Sequence, residues 1–199
     1  MAEKRGDTLL NFMLFIELFT LNRAWDGLTD EEMFWEPHPG SWGVRRRSEC
    51  TTPTPRGDGE WVIDFDDDLV VAAVQGAAIE PMTTIGWLLC HVGSTPGMLA
   101  DRDFLGGSVA SGADAPSIYG SVVFTSAEEA VATMRSGWRA LDRALQTSTD
   151  ERLERAYTEY YGPTTPMQFI ASALNEISHH GTQICMLRDL YRAPGAAAL

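Results

Sequence analysis

Apolar positions recur at helical spacing in four long stretches of the chain, and most of those stretches are bounded by residues that start or stop helices. From about Asp7 to Trp25, Leu10, Leu14, Leu18 and Leu21 fall four, four and three residues apart, which predicts a helix with a core-facing leucine stripe. Thr29 followed by Glu32 has the form of a capping box and predicts a short helix over Asp30 to Trp35, stopped by Pro37. A second long helix is expected from Thr83 to about Asp101, carrying Ile85, Leu88, Leu89, Val92, Met98 and Leu99, with Gly and Pro near its end. Thr125 with Glu128 predicts the start of a third, which runs to about Leu145 and presents Val131, Met134, Trp138, Leu141 and Leu145. The fourth has the sharpest start: Thr165 as N-cap, Pro166 at the first helical position and Gln168 three residues after the cap. It ends near Arg192, before Pro194 and an alanine-rich tail, taken as flexible over 193–199.

Between the first two long helices, Glu36 to Glu80 is rich in Pro, Gly and Asp and holds one strand-like run, Trp61 to Phe65. A connection that long in a compact domain is expected to be a functional cover or a mobile segment. A Gly- and Ala-rich loop follows from Gly106 to Gly120. There is no internal repeat, no alternation of strand and helix, and no GxGxxG or Walker pattern. The fold class predicted is therefore all-α: a four-helix bundle with a long, partly irregular insertion, 36–80, between the first and second long helices. At 199 residues the chain suits one domain, 1–199, with one well-buried core.

Composition narrows the partners. With 44% apolar and 22% charged residues the chain is globular in character, and a net charge of −13 argues against a coat for nucleic acid or an anionic membrane. The plain meaning of that acidity is solubility. No apolar run approaches the roughly 18 to 20 residues needed to span a bilayer. The stretch Met1 to Asp7 carries acidic residues and Glu17 interrupts the apolar run after it, a poor secretory signal, so a cytoplasmic location is expected. Cys50, Cys90 and Cys185 are odd in number and far apart, without a CxxC pair, which suggests neither a disulfide framework nor a thiolate zinc site. Cys90 and Cys185 fall in apolar helical segments and read as buried free thiols.

The last helix carries the chemistry. On a helical wheel, Glu176 and His180 sit one turn apart within a mainly apolar stripe that includes Phe169, Ala173, Ile177, Gln183, Ile184, Leu187 and Tyr191. A carboxylate and an imidazole buried there need compensation, and a shared metal ion uses both at once. A third ligand must come from another helix. Of four histidines, His38 lies in the irregular insertion and His179 about 100° around the helix from His180, which leaves His91 on the second long helix. Two imidazoles, one carboxylate and a vacant position suit zinc, nickel or iron rather than calcium or magnesium. The alternatives are a hydrogen-bonded core histidine at His91 and a simple ion pair between Glu176 and His180. The run Arg45, Arg46 and Arg47 is unusual in so acidic a chain; Arg45 and Arg46 could receive a substrate anion, against the alternative of a solvated basic turn. Trp35, Trp42 and Trp61 are expected to pack the insertion onto the bundle.

Thr84 to Val92, around His91, together with Glu176 to Ile184, resembles the DinB-like metal-binding bundle superfamily, whose pattern is one histidine in the second helix and a His-x-x-x-His pair in the last. Here Glu176 replaces the first member of that pair, and the resulting set is similar to that of mycothiol-dependent maleylpyruvate isomerases. Leu28 to Pro37 and Gly40 to Arg45 also resemble a DinB-type subgroup of high-GC Gram-positive bacteria. The resemblance implies a divalent metal, zinc or nickel, held by His91, Glu176 and His180. It further implies an enzyme that brings a small-molecule thiol such as mycothiol or bacillithiol to an electrophile, by S-transfer or isomerisation, and a homodimer. A metal-dependent hydrolase and a non-enzymatic, metal-stabilised stress-related bundle are the competing classes.

Overall fold

The computed structural model describes residues 4–101, 122–156 and 164–194. The Gly- and Ala-rich loop and the end of the alanine-rich tail lie outside the described residues. No helix among the described residues is long and apolar enough to cross a membrane.

The structure is an all-α bundle elaborated by one small sheet. The first arm is α1 (Arg5–Ile16), a π-helical turn (Glu17–Leu21) and α2 (Asn22–Trp25), continuous in direction. It is followed by α3 (Asp30–Phe34), β1 (Gly43–Arg46), β2 (Trp61–Asp64) and α4 (Asp67–Val74). The second arm is α5 (Ile85–Val92) and α6 (Thr95–Ala100), the third α7 (Ala127–Thr147) with the short α8 (Asp150–Glu154), and the fourth α9 (Pro166–Arg192). The first arm runs parallel to α9: Thr20 meets Gly181 and Cys185, and Arg23 meets Arg188 and Asp189. It runs antiparallel to α7, with Gly6 against Leu145, Glu17 against Trp138 and Asp26 against Arg135.

Two expectations about the arms are corrected. The leucine stripe Leu10, Leu14, Leu18 is not the core face: Leu9, Met13, Ile16 and Leu21 are buried, whereas Leu14 and Leu18 are exposed. The helix is apolar nearly all round, so spacing alone offers two stripes, and the π turn shifts the phase so that Leu21 rejoins the inner one. The second arm is not one helix from Thr83 to Asp101 but breaks between Val92 and Thr95. Pro96 has no N–H to continue the ladder, and it stands at the first turn of a new helix instead. The break lets α6 cross α7 where a Cβ on Gly137 would lie only 2.6 Å from the backbone nitrogen of Gly97. Any side chain at Gly137 would collide with that backbone. The third long helix starts one residue later than expected, with Ser126 as N-cap and Thr125 donating to Glu129, and runs on to Thr147.

Both remaining capping boxes form as expected, Thr29 with Glu32 and Thr165 with Gln168. The insertion is more ordered than its composition suggests. β2 pairs antiparallel with β1, with Val44 opposite Ile63 and Arg45 opposite Val62. Trp42 then clamps the approach to α5, accepting from Thr84 N–H and donating to Met82 O, both at 2.8 Å. Behind this clamp Trp42, Val44, Ile63 and Phe65 join Leu88, Leu89, Ile184 and Leu187 in one apolar cluster. The insertion is thus packed onto the α5–α9 seam.

Candidate metal centre

His91 is on the last turn of α5 and Glu176 and His180 are one turn apart on α9, so the site lies where these two arms touch. The three predicted residues do come together: their ligand atoms all lie within 4.8 Å of one another. His180 Nε2 is 3.3 Å from Glu176 Oε2, close to the edge, about 3.3 to 3.6 Å, of a tetrahedron with ligand bonds of about 2.0 to 2.2 Å. The His91 ring meets the His180 ring edge-on, with centroids 4.8 Å apart and planes at 88°.

The protonation states suit a cation. Burial, with His180 alongside, pushes the His91 pKa down to about 4, so its imidazole is neutral near pH 7. Burial lowers His180 as well, against the opposing pull of Gln183 and Glu176. Gln183 Oε1 lies 2.7 Å from His180 Nδ1. An amide oxygen accepts, so with the proton on Nδ1 this contact is a hydrogen bond to Gln183, and Nε2 in that tautomer offers a lone pair on the Glu176 side. By donor type, spacing and tautomer the residues fit a divalent transition metal.

The walls of the site are unequal. One turn before His91, Trp87 stacks on its ring at 5.2 Å and 19°, and Trp87 is in turn braced by Trp42 at 5.9 Å and Phe65 at 6.2 Å. The insertion therefore builds an aromatic wall behind His91. On the other side the Glu176 side chain is 56% exposed, so the carboxylate is not buried within the apolar stripe of α9 as its place on the wheel suggested but sits at the solvent edge of the site. His179 is also on the outside, its ring 5.0 Å from that of His180. Gln183 and Trp87 lie on the wheels of His180 and His91, at i+3 and i−4, but sequence spacing alone assigns neither a role.

A model of the DinB superfamily matches residues 20–184. The chain belongs to the DinB superfamily. Membership brings with it a bundle of the metal-binding kind, in agreement with the donor set just described. No curated protein and no solved structure matches the chain, so for this DinB-superfamily member the family model stands alone.

The two arginines named as candidate anion receivers lie elsewhere in the fold and are engaged there. Arg45, on β1, pairs with Glu36 at 2.7 Å and with Asp64 at 2.9 Å and donates to Ser41 O. Arg46 pairs with Glu60 and stacks over Trp61 at 5.3 Å. In this structure they tie the insertion together. His38 is on the exposed rim of the insertion against Pro39 O. Cys90 is buried and its thiol pushed up to about 12, and burial raises Cys185 too.

Proposed function

We propose that this chain is a metal-dependent enzyme that joins a low-molecular-weight thiol to a small electrophile, by S-transfer or by thiol-assisted isomerisation, with His91, Glu176 and His180 as the metal ligands. The observation that carries this is a three-donor set closed on its aromatic side and solvent-facing at Glu176. Three protein ligands leave room for one more from a small molecule. A zinc or nickel ion held there supplies positive charge that favours a thiolate over its thiol.

The chain's own groups then divide the work. His91 and His180 stay neutral because burial disfavours their cations, and Gln183 keeps the His180 lone pair turned toward Glu176. Trp87, backed by Trp42 and Phe65, holds the His91 ring and keeps water from that side. Glu176 contributes the one negative charge, leaving an anionic sulfur less tightly held and more nucleophilic than three histidines would. In transfer, the S–H bond breaks with its proton passing to water, and the sulfur lone pair forms the bond to the electrophilic carbon. That carbon releases a leaving group with its bonding pair or passes the charge to a neighbouring atom, which takes up a proton. Cys90, next to His91 in sequence, does not supply the sulfur in this reading, because it is sealed from solvent and its thiol stays protonated.

The similarity of the His, Glu-x-x-x-His pattern to mycothiol-dependent maleylpyruvate isomerases supports mycothiol or bacillithiol as the thiol. The test is thiol consumption with a panel of small electrophiles, comparing zinc- or nickel-loaded and metal-free protein. Acceleration by the loaded protein alone is expected. Equal rates for loaded, metal-free and protein-free samples would favour an ion that only braces the bundle, and ester or amide cleavage by the loaded protein would favour the hydrolytic class.

A further inference from the structure

One buried carboxylate has no part in the metal chemistry proposed above. Asp64, the last residue of β2, is 0% exposed. The backbone N–H groups of Thr51 and Thr52 donate to it at 2.8 and 3.0 Å, the hydroxyl of Thr51 at 2.9 Å, and the hydroxyl of Thr52 donates as well. Arg45 pairs with it at 2.9 Å. Burial alone would raise its pKa, but the threonine hydrogen bonds hold it low, so Asp64 is an anion at neutral pH that ties the 51–52 segment across the hairpin. The register gives this tie its reach. Asp64 stands opposite Gly43 on the last rung of the sheet, and the next residues outward are Phe65 and Trp42, the two rings that brace Trp87. Side chains alternate along a strand. Ile63, Phe65, Val44 and Trp42 join the apolar cluster that holds Leu88 and Ile184, and Asp64 and Arg45 fall on the opposite face. Trp87 then stacks on the ring of His91, 5.2 Å away. Trp42 O also accepts from the N–H of Thr84, the N-cap of α5, and so fixes the start of the helix whose last turn carries His91.

We infer that Asp64 is a positioning residue for the metal centre: by strapping Thr51 and Thr52 over the hairpin it keeps Phe65 and Trp42 on Trp87, and so sets the ring of His91 where it meets Glu176 and His180. Asp64 acts through Phe65 and Trp87, a chain of packed groups, and not by contact with the ion. Docking of the insertion and affinity for metal are then coupled, and such coupling is reciprocal. A metal ion on His91 tightens the strap, and loosening the strap weakens the metal. This role of Asp64 rests on the ligand set proposed above, His91, Glu176 and His180, and not on the thiol chemistry.

The test uses the full chain with zinc alone as the probe. Affinity is measured by competition with a chromophoric chelator, and ligand geometry by the visible absorption of the cobalt(II)-loaded protein. Asp64→Asn and Phe65→Leu are each expected to weaken zinc about 10- to 100-fold and to shift the cobalt bands, with helical circular dichroism unchanged. Thr52→Val should weaken zinc about 3- to 10-fold, and Thr52→Ser, which keeps the hydroxyl, should bind as wild type does. Glu32→Gln, which loosens the distant α3–α9 ion pair instead, should leave zinc within about twofold. In hydrogen exchange, zinc should slow the amides of Thr51 and Thr52 in wild type and not in Phe65→Leu. Should Asp64→Asn fail to fold, Thr52→Val and Phe65→Leu decide the matter. If His91→Ala binds zinc as wild type does, the ligand set is wrong and Asp64 positions nothing. If His91→Ala loses zinc while Asp64→Asn and Phe65→Leu keep the wild-type affinity and cobalt spectrum, the ligand set stands and Asp64 serves the fold alone. Equal weakening by Glu32→Gln would also overturn the inference, since affinity would then follow overall stability.

Discussion

Two polar clusters lie against apolar packing in this molecule, and they are finished in opposite ways. At the junction of α3 and α9, Glu32 and Arg188 are each 2% exposed and face one another as an ion pair. Glu32 accepts from Arg188 at 3.0 Å, from Arg192 at 2.6 Å and from the backbone of its own capping box, while Arg188 also donates to the carbonyls of Arg23, Ala24 and Asp26. At the junction of α5 and α9, two imidazoles and a carboxylate converge, with their ligand atoms all within 4.8 Å of one another. The first cluster is held by protein atoms alone, with the Nε of Arg188 the one buried nitrogen of the pair that has no hydrogen-bond partner, and it pins a loop to a helix. The second gathers three metal-ligating donors in one place, an arrangement that could hold a cation.

The largest effect that would break this contrast lies in the closed cluster. Arg188→Leu leaves Glu32 buried against an apolar surface with only Arg192 to answer it, and a loss of about 3 to 5 kcal/mol in urea unfolding is expected. The double variant Arg188→Leu with Glu32→Leu should recover much of that. A single variant that unfolds at the wild-type midpoint would mean the pair is not the pin described here.

Acid should act on the open cluster first. Folding depresses the His91 pKa to about 4 from an ordinary value of 6.5, so the metal-free native state excludes a proton that the unfolded chain accepts. That contribution is complete above about pH 6.5 and is lost as pH falls toward 4, by roughly 3 kcal/mol at most. The Glu32 and Asp64 carboxylates are also held low: burial would raise them, but their hydrogen bonds outweigh it, and so their share is lost at lower pH, below the usual carboxylate range. His91→Gln should reduce the slope of stability between pH 4 and 6.5, leaving the share of His180 in that window and the fall below it. Parallel curves for the two proteins would refute this assignment.

Metal itself should raise the melting temperature, by an amount equivalent to about 2.7 kcal/mol at a free concentration of 100 Kd, and a chelator should reverse it. Alanine at His91, Glu176 or His180 is expected to abolish that shift, and His179→Ala to leave most of it. If Glu176→Gln keeps wild-type affinity in a competition titration, Glu176 is not a ligand. The smallest effect is at Gln183, where Gln183→Leu removes the group that fixes the His180 tautomer and should weaken metal about 10- to 100-fold without moving metal-free stability much. An unchanged affinity would leave Gln183 a packing residue.

What was legible in the sequence follows the reach of each interaction. Thr165, Pro166 and Gln168 act within one turn, and α9 begins where they place it. Glu176 and His180 share a helix, and their spacing is visible as soon as the helix is. Glu32 was legible as a capping residue but not as the acceptor of Arg188, which is 156 positions away. The pairing of Val44 with Ile63 was equally hidden, since only one of the two strands has a strand-like pattern of its own. The face of α1 failed for another reason: where both sides of a helix are apolar, periodicity identifies the helix without saying which side is in.

The π turn at Glu17–Leu21 gives the first arm an unusual tolerance to loss of length. In an ordinary α-helix, removing one residue rotates everything beyond it by about 100° and turns its buried face to water. A π turn is already one residue longer than the α turn it replaces. Deleting Phe19 would let this segment relax to α geometry with Met13 and Ile16 on one side, and Ala24 and Trp25 on the other, still aimed at the core. The same deletion a few residues earlier, at Phe12, would have no such slack to take up.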